Sequence, residues 1–240
     1  MPAIAPAKAA KRRGPPTARR GAAPAEPVPL SRPLIVQAAL ALVADVGVSG
    51  FSTRKLGERL GCEAMSIYHH YAGKRHLLDA LVDHAIASLE WPPEDLPPLE
   101  RVRFAMYAYR AMAHRFPALF ALIALHRLNT ETGVRFIEGI LRLVQGVVPD
   151  AELAARHFRT VGYFLAGAAL DETSGYARGP SAANPVSDEF ILRECPRLVA
   201  ASRYFKQDQW DRTFALGVDT MLQAMLRDGA VRRPRMPSPQ

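Results

Sequence analysis

From Ile35 onward, apolar side chains recur at intervals of three and four residues, the repeat that lines one face of an α-helix. Ile35, Ala38, Ala39, Leu42, Val43 and Val46 form the first such stripe. Ser31 is placed to cap it, Pro33 stands in its first turn, and Gly47 and Gly50 end it. A second, short helix follows Ser52, turns Leu56 and Leu60 inward and closes at Gly61. Residues 64–71 read as a third helix. After Gly73 a longer fourth carries Leu77, Leu78, Leu81, Val82, Ile86 and Leu89 inward. The run WPPEDLPP (91–98) stops it, because proline cannot continue a helix and restrains the residue before it.

Beyond that stop the spacing predicts helices over 99–114, 117–128, 131–147, 151–177, 188–205 and 208–227. The breaks are Phe116-Pro117, Leu128-Asn129-Thr130, Val148-Pro149-Asp150 and the polar stretch 178–188. Alternating, strand-like runs are absent from the pattern, and no internal repeat is visible. The fold class is therefore all-α: a small N-terminal helical unit over 30–76, a linking helix at about 74–90, and a larger helical body over 91–228. Residues 1–29 and 229–240 lack large apolar side chains at helical spacing, are basic and rich in Ala, Pro and Arg, and are expected to be disordered tails.

Composition changes this picture in two places. The chain is 49% hydrophobic and 22% charged, ordinary for a globular protein with a sizeable core, and no apolar run reaches about 18 residues, so no membrane span is expected. The basic start has no apolar run behind it and does not read as a secretory signal, which points to the cytoplasm. Two cysteines, Cys62 and Cys195, lie far apart and outside any metal-like spacing; both are expected to be small, buried, unpaired thiols.

The net charge of +8 divides unevenly. Residues 1–30 hold six Lys or Arg against Glu26, and residues 227–240 hold four Arg against Asp228, so the central part is neutral. Excess charge in the tails does not mark the folded part as a nucleic-acid binder. A local excess does stand out: over 52–76, Arg54, Lys55, Arg59, Lys74 and Arg75 face only Glu58 and Glu63.

That segment reads STRKLGERLGCEAMSIYHHYAGK (52–74). Two short helices joined by a tight glycine turn, the second with small and polar outward residues, describe a helix-turn-helix. FSTRKLGERLG (51–61), SIYHHYAGK (66–74) and RHLLDALVD (75–83) together resemble the TetR family of bacterial transcriptional regulators over about residues 31–90. In that family a Thr-Arg pair opens the second helix, and a Tyr-x-His-aromatic-x-x-Lys signature joins the third to the fourth.

The resemblance gives the matched residues roles. Thr53 and Arg54 at a helix start, Tyr68 and His70, and Lys74 opening the fourth helix would hold DNA phosphates. Such contacts fix register without reading sequence. Base reading would fall to Glu63, Ala64, Met65, Ser66 and His69: the short Ala-Met-Ser surface permits close groove approach, Glu63 and His69 offer hydrogen bonds, and Ile67 and Tyr71 pack inward. The structured part then comprises a helix-turn-helix DNA-binding domain over 30–76 and an effector-binding and dimerisation domain over 91–228.

The resemblance further implies a homodimer on a near-palindromic double-stranded operator, with half-sites roughly 34 Å apart. The helices near 151–177, with Gly162, Ala166, Gly167 and Ala169, and near 208–227, with Phe214, Leu216, Val218, Met221, Leu222 and Met225, are the candidate dimer elements. It also implies an apolar pocket for a small-molecule effector among the middle helices. Tyr107, His114, Phe116, Phe120, His126, Tyr163, Phe164 and the acidic Asp171 are its candidate lining.

No cofactor, metal site or catalytic group is expected. HExxH, a phosphate-cradling glycine loop and a nucleophile elbow are all missing from the sequence, which argues against an enzyme. The leading expectation is a ligand-responsive repressor. An activator of the same type, or a sequence-independent architectural DNA-binding protein using the basic tails, are the alternatives.

Overall fold

Ser31 does what its position predicts: its Oγ accepts from the Leu34 N–H at 3.4 Å and starts α1 (Arg32–Gly50). The computed structural model describes residues 29–126, 128–179 and 182–230, so the two predicted tails lie almost wholly outside the described residues. All secondary structure among those residues is helical. At Gly47 the backbone enters φ 70°, a conformation open to glycine at little cost, and α1 kinks there. α1 is long and apolar enough to cross a membrane, but Ile35, Val36, Ala39, Leu42 and Val43 are buried against its neighbours.

α2 (Thr53–Leu60) is capped by Ser52, whose Oγ accepts from the Lys55 N–H at 3.3 Å, and ends at Gly61 in the left-handed region. α3 (Ala64–Tyr68) is shorter than the predicted 64–71, because His70 and Tyr71 both donate to the Ile67 carbonyl and the chain turns out of the helix. α4 (Lys74–Ala87) follows directly. Leu56, Ile67, Leu77 and Leu81 are fully buried where these helices meet, and a Cβ at Gly57 would stand 2.7 Å from the Cys62 carbonyl oxygen. Only glycine lets α2 lie this close to the turn.

The body contains α5 (Pro98–Arg115), α6 (Pro117–Leu125), α7 (Glu131–Gln145) and α8 (Ala151–Thr173). After a 3-10 turn at Tyr176–Arg178 come α9 (Asp188–Glu194), α10 (Pro196–Ala201), further 3-10 turns at Ser202–Phe205 and Gln207–Gln209, and α11 (Trp210–Ala230). The single helix expected over 188–205 is two, because Pro196 withholds its N–H and serves instead as the first residue of α10. α11 continues to Ala230, past the expected boundary at 228.

One apolar core joins α5, α7, α8 and α11 through Val102, Met106, Val144, Val161, Leu165, Phe214, Val218, Leu222 and Met225. Four of the α11 residues expected at a dimer surface, Phe214, Val218, Leu222 and Met225, are therefore internal, whereas Leu216 is 70% exposed. Cys62 and Cys195 are unpaired as expected, but half-buried rather than fully buried.

Candidate nucleic-acid interface and interior cavity

Sequence brings Thr53 to the first position of α2 and Tyr68 to the last of α3, and the fold sets the two hydroxyls 3.0 Å apart. Arg54 beside them is exposed, its Nη1 donating to Glu58 Oε1 at 2.6 Å across one helical turn. An exposed pair of this kind is worth well under 1 kcal/mol, so a phosphate can take the guanidinium from Glu58 at little cost. Glu63, Met65 and His69 are exposed; Ala64, Ser66 and His70 are half-buried. Met65, at 64% exposure, is a large apolar side chain left in solvent, unlike the buried Ile67 two residues on.

Lys74 makes a structural contact that sequence did not suggest. Its Nζ donates to the Phe51 carbonyl at 2.8 Å and lies 5.6 Å from the Phe51 ring centre, tying the start of α4 to the entry of α2. An ammonium has three donors, so two remain for a phosphate. Lys55 donates to the Gly50 carbonyl at 3.0 Å, and Arg59 pairs with Asp45 on α1 at 2.6 Å, so both serve the packing of α2 on α1. Tyr71 is half-buried under the Arg32 guanidinium, and burial holds its phenol above the usual value, against the opposing effect of Arg32.

Behind this unit a cavity of about 510 Å³ opens between α5, α7 and α8 and the loop from α6 to α7. Its walls are mostly aliphatic, among them Met106, Ile137, Ile140, Leu143 and Leu165, with Phe136 and Phe158. The polar groups reaching it are Tyr109, His126, Asn129 and Arg159. Tyr109 stands edge-on to Phe120 at 5.8 Å, and burial pushes its phenol up to about 12, so it faces the cavity uncharged.

Of the eight residues expected to line the pocket, only His126 does so. Tyr107 packs edge-on against Phe214, and Phe164 stacks on the same ring while covering Gly217. Phe120 is fully buried core, and Phe116 meets His84 edge-on at the start of α6. Tyr163 points to solvent. On α8 the internal acid is Glu172, not the exposed Asp171; it takes both oxygens to Arg110 at 2.8 and 2.9 Å and pairs with His114 at 2.7 Å. The lining of this cavity escaped sequence reasoning because aliphatic side chains around a void have the same spacing as those in a filled core.

The cavity meets α4 through His126, and the start of α7 meets the same helix through Thr130. His126 Nε2 lies 3.3 Å from Asp79 Oδ1, and Thr130 Oγ1 donates to Asp83 Oδ1 at 2.5 Å. Thr130 also caps α7, accepting from the Gly133 N–H at 3.1 Å. Neither aspartate was anticipated; their spacing of four along α4 was the available signal.

Comparison with known proteins agrees with this geometry. The family model for bacterial regulatory proteins, tetR family, matches residues 35–81. The tetracycline repressor protein class A from transposon 1721 of Escherichia coli is 30% identical over 212 residues, covering 83% of this chain and 89% of that protein. Among solved structures, a possible TetR family transcriptional regulator from Streptomyces coelicolor A3(2) superposes with a TM-score of 0.67 at 24% identity, over 81% of this chain and 98% of that one. The Streptomyces coelicolor protein ActR in complex with actinorhodin has a TM-score of 0.67 at 24% identity, over 85% and 100%. At that identity the structural likeness speaks for the fold.

Proposed function

The chain belongs to the TetR family of bacterial regulatory proteins, and from that premise we propose that it is a cytoplasmic, non-enzymatic repressor released from its operator by a small molecule. The carrying observation is that His126, which lines the cavity, lies against Asp79, with Thr130 bonded to Asp83 one turn along the same helix, the one that opens at Lys74. Thr53, Arg54, Tyr68, His70 and Lys74 hold phosphates on either side of α3, whose Met65 face enters the major groove. A helix-turn-helix unit of this size specifies a site only in pairs, so two copies bind a near-palindrome with half-sites roughly 34 Å apart. We assign pairing to α8 and α11, where Tyr163 and Leu216 are exposed and the space above Gly167 is open.

Occupancy of the cavity by a compound that fits one α4 placement better than the other shifts the balance between DNA-competent and incompetent forms, and DNA must weaken that compound's binding in return. Footprinting on the DNA flanking the protein's own gene tests the reading. A protected near-palindrome is expected; protection no stronger than on unrelated DNA at the same salt would refute it.

A further inference from the structure

We propose that the cavity takes an apolar organic anion: a ring-bearing molecule that offers an acceptor oxygen to Tyr109 and directs its negative charge toward Arg159. This rests on the cavity being the effector site. A volume of about 510 Å³ suits one small organic molecule, and the walls supply dispersion and burial of apolar surface.

Charge is decided by what lines the walls. Among the described residues no Asp or Glu lines the cavity, so a cation would leave water without a carboxylate to pair with there. The Asp79 carboxylate stands behind His126, 3.3 Å from its Nε2. Arg159 stands exposed at the edge of the cavity. One of its Nη2 hydrogens is given to the Tyr163 hydroxyl at 2.8 Å, and its guanidinium lies 4.8 Å over that ring, which fixes the group while leaving most of its donors free. Tyr109 forms no hydrogen bond with the described residues, and its raised pKa keeps its proton in place. A neutral phenol in an apolar wall pairs best with an oxygen acceptor brought by the occupant.

Three naphthalene probes separate the possibilities, with binding to the full-length protein read by fluorescence and calorimetry. They are 1-anilinonaphthalene-8-sulfonate, its neutral parent N-phenyl-1-naphthylamine, and (1-naphthylmethyl)trimethylammonium. The sulfonate is expected to bind at least tenfold tighter than the ammonium compound. Gly162→Leu, whose side chain enters open space at the cavity wall, should abolish sulfonate binding while leaving the fold intact. Tyr109→Phe should weaken it roughly three- to tenfold, and Arg159→Gln should narrow the gap between the sulfonate and the neutral parent. Equal or tighter binding of the ammonium probe, sensitive to Gly162→Leu, would overturn the proposal, as would sulfonate binding indifferent to all three substitutions. Operator footprinting is read separately: normal protection with a cation preference refutes the ligand class alone, whereas lost protection in the unsubstituted protein refutes the regulator reading.

Discussion

Thr53 Oγ1 and the Tyr68 hydroxyl, fifteen residues apart in sequence, stand 3.0 Å from each other and clasp the start of α2 to the end of α3. Arg54→Ala should lower the slope of log affinity against log salt by about one unit for each Arg54 bound, since one counterion fewer is released. Tyr68→Phe removes a neutral donor and should weaken binding several-fold with the slope unchanged. Fluorescence anisotropy across a potassium chloride series measures both.

Gly57 and Gly61 predict different consequences for operator binding from the same change to alanine. At Gly57 the new Cβ meets the Cys62 carbonyl oxygen at 2.7 Å, so α2 and the turn must separate, at about 1–3 kcal/mol and with loss of operator binding. At Gly61 the Cβ enters open space, and only the positive φ of 66° is penalised, by about 1 kcal/mol with binding retained. Urea midpoints and operator titrations on the two variants separate the effects.

Glu172 sits at 6% side-chain exposure against Arg110 at 12%, whereas Asp211, the other partner of Arg110, is 91% exposed. Glu172→Gln should therefore cost about 2–3 kcal/mol, because a buried guanidinium loses its buried charged partner and keeps only the solvent-screened one. Asp211→Asn should cost less than about 1 kcal/mol. Chemical denaturation of both variants checks the contrast.

Alkaline stability should carry the signature of Tyr109. Its phenol titrates at about 12 in the folded chain and near 10 when unfolded, so the folded state holds the proton more tightly. The resulting stability is fully present below pH 10 and is lost as pH rises toward 12, by roughly 3 kcal/mol in total. The unfolding free energy of the parent protein measured relative to Tyr109→Phe, followed from pH 9 upward, should fall over that window.

Thr130→Val should destabilise the chain by about 1 kcal/mol through loss of the α7 cap. It should also loosen α4 by removing the bond to Asp83. Thr130→Ser keeps the hydroxyl and should restore both properties. Hydrogen exchange of the α4 amides distinguishes the cap effect from the α4 effect.

What sequence revealed and what it hid divide along the range of the interactions. The helix starts at Ser31 and Ser52 and the turn at Gly61 depend on neighbours within four residues, and they stand where the pattern put them. Thr53 and Tyr68 are legible because the intervening turn is short and regular. The cavity is not, since it is a space left among α5, α7 and α8, and Ile140 or Leu165 look the same in one dimension whether they face a void or a neighbour. Aromatics misled for the same reason: Tyr107 and Phe164 sit at helical spacing because they pack on Phe214. Asp171 and Glu172 show the cost of a single step, as adjacent positions on α8 face opposite environments.

Asp79 and Asp83 lie one turn apart on α4, and each holds a different end of the short loop bordering the cavity. A loop pinned at one point could pivot about it and leave the helix at rest. Held at both, the two ends are referred to one face of a single helix, and that helix is itself anchored at its first residue, where Lys74 donates to the Phe51 carbonyl at the entry of α2.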